Sequence, residues 1–141
     1  MKLVINDDWG GFSLSPEALM KCYEYGMTSN MTPIEEYYGP DDRQADIDKA
    51  LKDWHDYKKG RKPKSLWRLN VFSPDDKFVL SDYRMERSDP ILVRVVEELG
   101  SKAASGSMAS LKVVEIPDDV KYYIHDYDGC ETVHEEHRSW G

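Results

Sequence analysis

The sequence predicts an α+β fold: a single domain, residues 1–141, built on an antiparallel or mixed sheet with two to three helices. Three observations carry this. Apolar residues recur at helical spacing in three stretches, short β-branched runs lie between them, and the two kinds do not alternate with the regularity of a βαβ protein. A chain of 141 residues with 40% hydrophobic content has enough apolar mass for one core.

Leu3-Val4-Ile5 is a short strand signal that runs into Asn6-Asp7-Asp8 and Gly10-Gly11, a glycine-permitted loop. Ser15 suits a helix N-cap and Pro16 a first helical position. Ala18, Leu19, Cys22 and Tyr23 then form one stripe that stops near Gly26. From Met27 to Pro40, with Pro33, Gly39 and Pro40, the pattern is that of irregular chain. A second helix is expected from Asp41 onward, because Ile47, Ala50, Leu51, Trp54 and Tyr57 share a face while Asp46, Asp48, Lys49, Lys52 and Asp53 cover the rest. Lys58 to Lys64 carries five positive charges in seven residues, broken by Gly60 and Pro63. Beside so acidic a helix it reads as a solvated linker rather than a nucleic-acid patch.

Trp67, Leu69 and Val71 alternate with Arg68 and Asn70, Ser73-Pro74-Asp75-Asp76 makes a turn, and Phe78-Val79-Leu80 resumes, so a hairpin is expected. Ser88 or Asp89 caps a third helix with Pro90 at its start. Ile91, Leu92, Val95, Val96 and Leu99 are its buried stripe and Gly100 its end. Ala103 to Ser110 holds only small or flexible residues apart from Met108, which suits a close backbone approach to another chain or a ligand. Leu111 to Ile116 is a strand closed by Pro117-Asp118-Asp119. Asp128-Gly129 is a two-residue hairpin signal between Val120–Tyr127 and Cys130–His134.

Several functions are disfavoured. Lys plus Arg number 19 against 27 Asp plus Glu, a net charge of −8, so neither DNA nor RNA is an expected partner. No run of apolar residues is long enough for a membrane helix, and Asn6-Asp7-Asp8 brings acid too early for a signal peptide, so a cytoplasmic location is expected. Cys22 and Cys130 sit in no metal pattern and read as free thiols. His134-Glu135-Glu136-His137 misses the zinc-protease spacing by one residue, His125 reads as an ordinary strand histidine, and His55 has no obvious partner. Ser105-Gly106-Ser107 lacks the nucleophile-elbow pattern, and Asp8-Trp9-Gly10-Gly11-Phe12 lacks the dinucleotide spacing. The paired aspartates lie at turns, where backbone hydrogen bonding explains them. His137-Arg138-Ser139 is a single near miss to a two-histidine phosphodiesterase. No catalytic residue, metal or cofactor is expected.

What remains is a vocabulary for binding. Gly10 and Gly11 let backbone approach a ligand, and Trp9 and Phe12 offer stacking faces. Arg84 and Arg87 precede a helix N-terminus at Asp89-Pro90, although capping alone would explain Asp89. Asn6, Trp9, Gly10, Gly11 and Phe12, with Arg84, Arg87 and Asp89, are the candidate ligand shell. Ala103, Ser105, Gly106 and Ser107 are candidates for a subunit contact or a second, backbone-lined nucleotide site.

The opening Leu3 to Ser15 resembles the start of the phage Thoeris anti-defence protein 1 family. Arg87-Ser88-Asp89-Pro90, Val95 to Gly100, Lys102-Ala103, Leu111 to Val120, Asp126 to Gly129 and Glu136-His137-Arg138-Ser139-Trp140 are similar to its later blocks. The resemblance covers about residues 1–26 and 83–141 and leaves a variable segment at about 27–82. It implies a sponge and not an enzyme: a protein in the cytoplasm of the infected bacterial host that binds cyclic ADP-ribose isomers made by TIR-domain enzymes and holds them uncleaved. It also implies a homo-oligomer, dimer or hexamer, and in some members a second site for cyclic oligonucleotides between subunits. Ala104-Ser105-Gly106 departs from the Asn-Gly that often follows the Lys-Ala pair in that family. The rival readings are a phage protein that masks a host protein, and a nucleotide-degrading enzyme whose catalytic group is unfamiliar.

Overall fold

The structure, a computed structural model, describes residues 1–41, 44–63 and 65–136. Its elements are those of an α+β protein, and every sheet is antiparallel. The chain gathers into two compact units: Met1–Ala18 with Glu86–Gly141, and Leu19–Met85. The segment expected to be variable, about 27–82, falls inside the second unit.

In the first unit β1 (Lys2–Asn6) pairs with β5 (Leu111–Glu115), Leu3 opposite Val114 and Ile5 opposite Lys112. Hydrogen bonds from Asp7 N–H to the Ser110 carbonyl and from Ile116 N–H to the Met1 carbonyl, each 2.8 Å, continue the ladder at both ends. Helix α1 (Pro16–Glu24) starts where Ser15 Oγ accepts the Ala18 N–H at 3.1 Å. α4 (Pro90–Ala104) lays Leu92, Val93, Val95 and Val96 against this sheet, all buried with Leu3, Val4, Ile5 and Leu111. Each such side chain contributes on the order of 1.5–3 kcal/mol. Gly100 leaves helical geometry at φ 82°, as expected of a stop, and Ser101 to Ala104 then make one further turn. β6 (Tyr122–Tyr127) and β7 (Cys130–Glu135) form the hairpin expected at Asp128-Gly129, whose φ angles of 54° and 91° are those of a primed turn.

In the second unit β2 (Met31–Pro33), β4 (Phe78–Leu80) and β3 (Val71–Phe72) form a sheet in the order β2-β4-β3. Two of its features depart from expectation. The stretch read as irregular contains β2 and a short helix, α2 (Ile34–Tyr38), which brings the helices to four where two to three are expected. The alternation at Leu66–Arg68 belongs to a single 3-10 turn, with only Val71–Phe72 left to pair. α3 (Gln44–Lys58) buries Trp54 completely. His55 has a partner after all, since its Nε2 lies 2.9 Å from the carboxylate of Asp76 on the β3–β4 turn. Asp41 is described but is not helical.

Candidate functional site

The opening loop after β1 is held by one side chain. Asn6 is fully buried. Its amide nitrogen donates to the Asp8 carbonyl at 2.7 Å and the Gly129 carbonyl at 2.7 Å, and its Oδ1 accepts the Ser110 N–H at 2.8 Å. Three loops are thereby tied to one point. A buried amide so engaged has no donor left for a ligand.

Arg87 is likewise engaged inside the unit. Its Nη1 and Nη2 donate to the two carboxylate oxygens of Glu131 at 2.6 and 2.8 Å, and its guanidinium carbon lies 3.6 Å from the centroid of the Phe12 ring. Glu131 Oε1 also accepts the Asn6 N–H at 2.8 Å. A planar fork on a carboxylate and an aromatic face beneath it form a rigid, neutral plug rather than a cation waiting for phosphate. Glu131 is 5% exposed and Arg87 20%.

The glycines serve backbone packing. A Cβ on Gly10 would fall 2.0 Å from the Met108 carbonyl oxygen, one on Gly106 would fall 2.1 Å from Ser13 Oγ, and one on Gly129 would fall 2.5 Å from both Trp9 O and Gly11 N. The close approach foreseen for Ala103 to Ser110 is therefore made to the chain's own opening loop. Ser105 Oγ accepts the Leu111 N–H at 2.8 Å and the Gly106 N–H donates to the Ser13 carbonyl at 2.9 Å. The Ala103 carbonyl accepts from Ser15 Oγ at 2.6 Å. Ser107 is exposed at the tip of this segment.

Asp89 is the N-cap of α4, accepting the N–H groups of Ile91 at 2.8 Å and Leu92 at 3.4 Å. Capping accounts for it. Arg84 belongs to the second unit, at φ 55°, with its guanidinium 5.3 Å from the ring of its neighbour Tyr83. The sequence groups it with Arg87, which belongs to the first unit.

Trp9 is different. It is 62% exposed and meets Tyr127, 66% exposed, edge to face with ring centroids 5.8 Å apart. Met108, 63% exposed, belongs to the segment whose backbone packs on Gly10. Three large apolar side chains thus stand in solvent on loops made rigid by Asn6, Gly10 and Gly129. Further along the same face of the β6–β7 hairpin, Tyr123 stacks on His134 at 5.4 Å and His125 meets His134 edge-on at 6.0 Å. The arrangement can stack a planar ligand or bury a partner's apolar surface.

Tyr127 and Glu131 are absent from the sequence-based shell. Both could have been found from strand periodicity. Tyr123, His125 and Tyr127 alternate onto one face, and Glu131 shares the other with Val133 and Ile124, a semi-buried position at which a carboxylate requires a cation.

Among the described residues no group of three or more His, Cys, Asp or Glu side chains is placed to hold a metal, and no helix is long and apolar enough to cross a membrane. His137, and with it the His134–His137 pair, the His137-Arg138-Ser139 near miss and the end of the Glu136 to Trp140 block, lies outside the described residues. The chain matches no family model, no curated protein and no solved structure.

Proposed function

We propose that this protein is a phage anti-defence sponge, which binds cyclic ADP-ribose isomers made by bacterial TIR-domain enzymes in the host cytoplasm and sequesters them without cleavage. The observation that carries the reading is the Trp9–Tyr127 pair, two solvent-facing aromatic rings on loops fixed by Asn6, Gly10 and Gly129. A base stacked on such a platform gains about 1–3 kcal/mol, and a platform that is already rigid spends little on ordering. The separated sequence blocks that resemble those of the Thoeris anti-defence protein 1 family support the same reading. In this reading Arg87 acts indirectly, holding Phe12 and β7 in place. A homo-oligomer would complete the enclosure, because one exposed pair covers only part of a nucleotide.

A second reading rests on that pair together with Met108. Trp9, Met108 and Tyr127 together are the kind of exposed apolar patch through which a phage protein could mask a host protein.

The test is retention. The purified protein is incubated with a TIR-generated signal, freed of unbound material and heated, and the released compounds are identified by mass spectrometry. Intact signal is expected. Altered signal would make the protein an enzyme, and an empty protein would favour masking. Trp9→Ala should weaken binding at least fivefold, the equivalent of about 1 kcal/mol. As an exposed residue it should shift stability by less than about 0.5 kcal/mol.

A further inference from the structure

The second unit encloses a small cavity whose walls are mostly apolar. Met20, Tyr23 and Glu24 share one face of α1, Trp54 and Lys58 lie one turn apart on α3, and Phe72 and Leu80 come from β3 and β4. Every one of these residues belongs to Leu19–Met85. The cavity measures 350 Å³, near the lower end of the ~300–1,000 Å³ typical of small-molecule sites, so it has room for a ring system of modest size.

One polar atom of the lining residues is unaccounted for. Trp54 is fully buried, and its indole N–H, a donor with no acceptor capacity, has no hydrogen-bond partner among the described residues. The ring is held in place. Tyr57 stacks on it with centroids 5.8 Å apart, and the Lys58 ammonium lies 5.3 Å from its centroid. A tryptophan buried for packing alone is normally placed so that this N–H reaches an acceptor, since leaving it dry is destabilising. Here the side chain lines an opening instead, where an acceptor can arrive from outside the chain. The other walls say what such a molecule must be. The rings of Tyr23 and Phe72 and the Met20 thioether favour an aromatic face or edge. The charged lining is one acid, Glu24, and one base, Lys58, both exposed, so it carries no net charge and favours neither a buried anion nor a buried cation. We infer that the cavity binds a small, neutral aromatic molecule bearing one hydrogen-bond acceptor, which takes the Trp54 N–H. The site lies wholly within the second unit and does not depend on the Trp9–Tyr127 platform.

Nuclear magnetic resonance on the full chain tests this with two probes of the same shape, acetophenone and α-methylstyrene, in which a methylene replaces the carbonyl oxygen. The chain has four tryptophans, and the Trp54 indole N–H signal is the one that survives Trp9→Phe, Trp67→Phe and Trp140→Phe alike. Acetophenone is expected to bind saturably and to move that signal, with an affinity about fivefold above that of α-methylstyrene, the worth of one hydrogen bond. Trp9→Ala should bind it as the wild type does. Met20→Glu, at an exposed position, should weaken it roughly tenfold by setting a charge against an apolar ligand, with the melting temperature in place. No saturable binding, equal affinity for the two probes, an unmoved Trp54 signal or unchanged binding by Met20→Glu would each overturn the proposal. Binding lost in Trp9→Ala would do so too, by assigning the ring to the loop platform.

Discussion

Each unit buries an asparagine, and the two are treated in opposite ways. Asn6 is 0% exposed with its amide fully engaged across three loops. Asn30 is 7% exposed, and neither its Nδ2 nor its Oδ1 has a hydrogen-bond partner among the described residues; the Trp54 indole nitrogen of the same unit is in the same position. An unpaired buried polar group costs about 1–3 kcal/mol. The first unit is therefore wired at its loops, whereas the second tolerates polar debt in its interior. A buried polar side chain fixes a structure when its hydrogen bonds are made, and burial alone does not do so.

The contrast can be broken at several places. Glu131→Gln should have the largest effect, because it leaves the Arg87 guanidinium without its counter-charge. A loss of about 3 kcal/mol is expected in chemical denaturation, and a loss below 1 kcal/mol would mean that the plug is not structural. Asn6→Ala should cost about 2–3 kcal/mol, since it strands the Gly129 carbonyl and the Ser110 N–H. Asn30→Ala, which breaks no side-chain hydrogen bond among the described residues, should cost less than about 1 kcal/mol. Equal losses from the two would erase the distinction between the units.

The smallest effect is a pH dependence. The Ser73 hydroxyl and the Lys77 N–H, both donating to the Asp75 carboxylate, hold its pKa below the ordinary aspartate value. A lowered folded-state pKa gives a contribution that is complete above the ordinary value, about 3.9, and lost as pH falls through the folded one. Asp75→Asn should therefore flatten part of the acid limb of stability, and a limb of unchanged slope would argue against the turn.

Local chemistry made much of this legible in the sequence. Asp89-Pro90 announced the start of α4 and Asp128-Gly129 the hairpin, because each acts through its own backbone, while Gly100, expected as the end of α4, breaks its geometry with one turn still to follow. Pairing was not legible. Nothing in Leu3-Val4-Ile5 says that its partner is Leu111–Glu115, since register there is set by packing under α4. Five residues between Pro33 and Gly39 are too few to show helical periodicity, so α2 escaped notice. At the candidate site, residue types were a poor guide to role. Asn6, Arg87 and Asp89 have the chemistry of ligand contacts, yet each is consumed internally. The basic stretch after α3 begins at Gly60, whose positive φ ends the helix through its own backbone, and Arg61 and Lys62 beyond it are exposed.

The antiparallel partnership of Lys2–Asn6 with Leu111–Glu115 has a consequence for biosynthesis. The first strand leaves the ribosome long before its mate, a wait on the order of ten seconds at ~5–20 residues per second. During that interval the whole of Leu19–Met85 emerges. The strand therefore waits unpaired for the later part of the chain, and its ladder with Leu111–Glu115 can close only after all of Leu19–Met85 has been made.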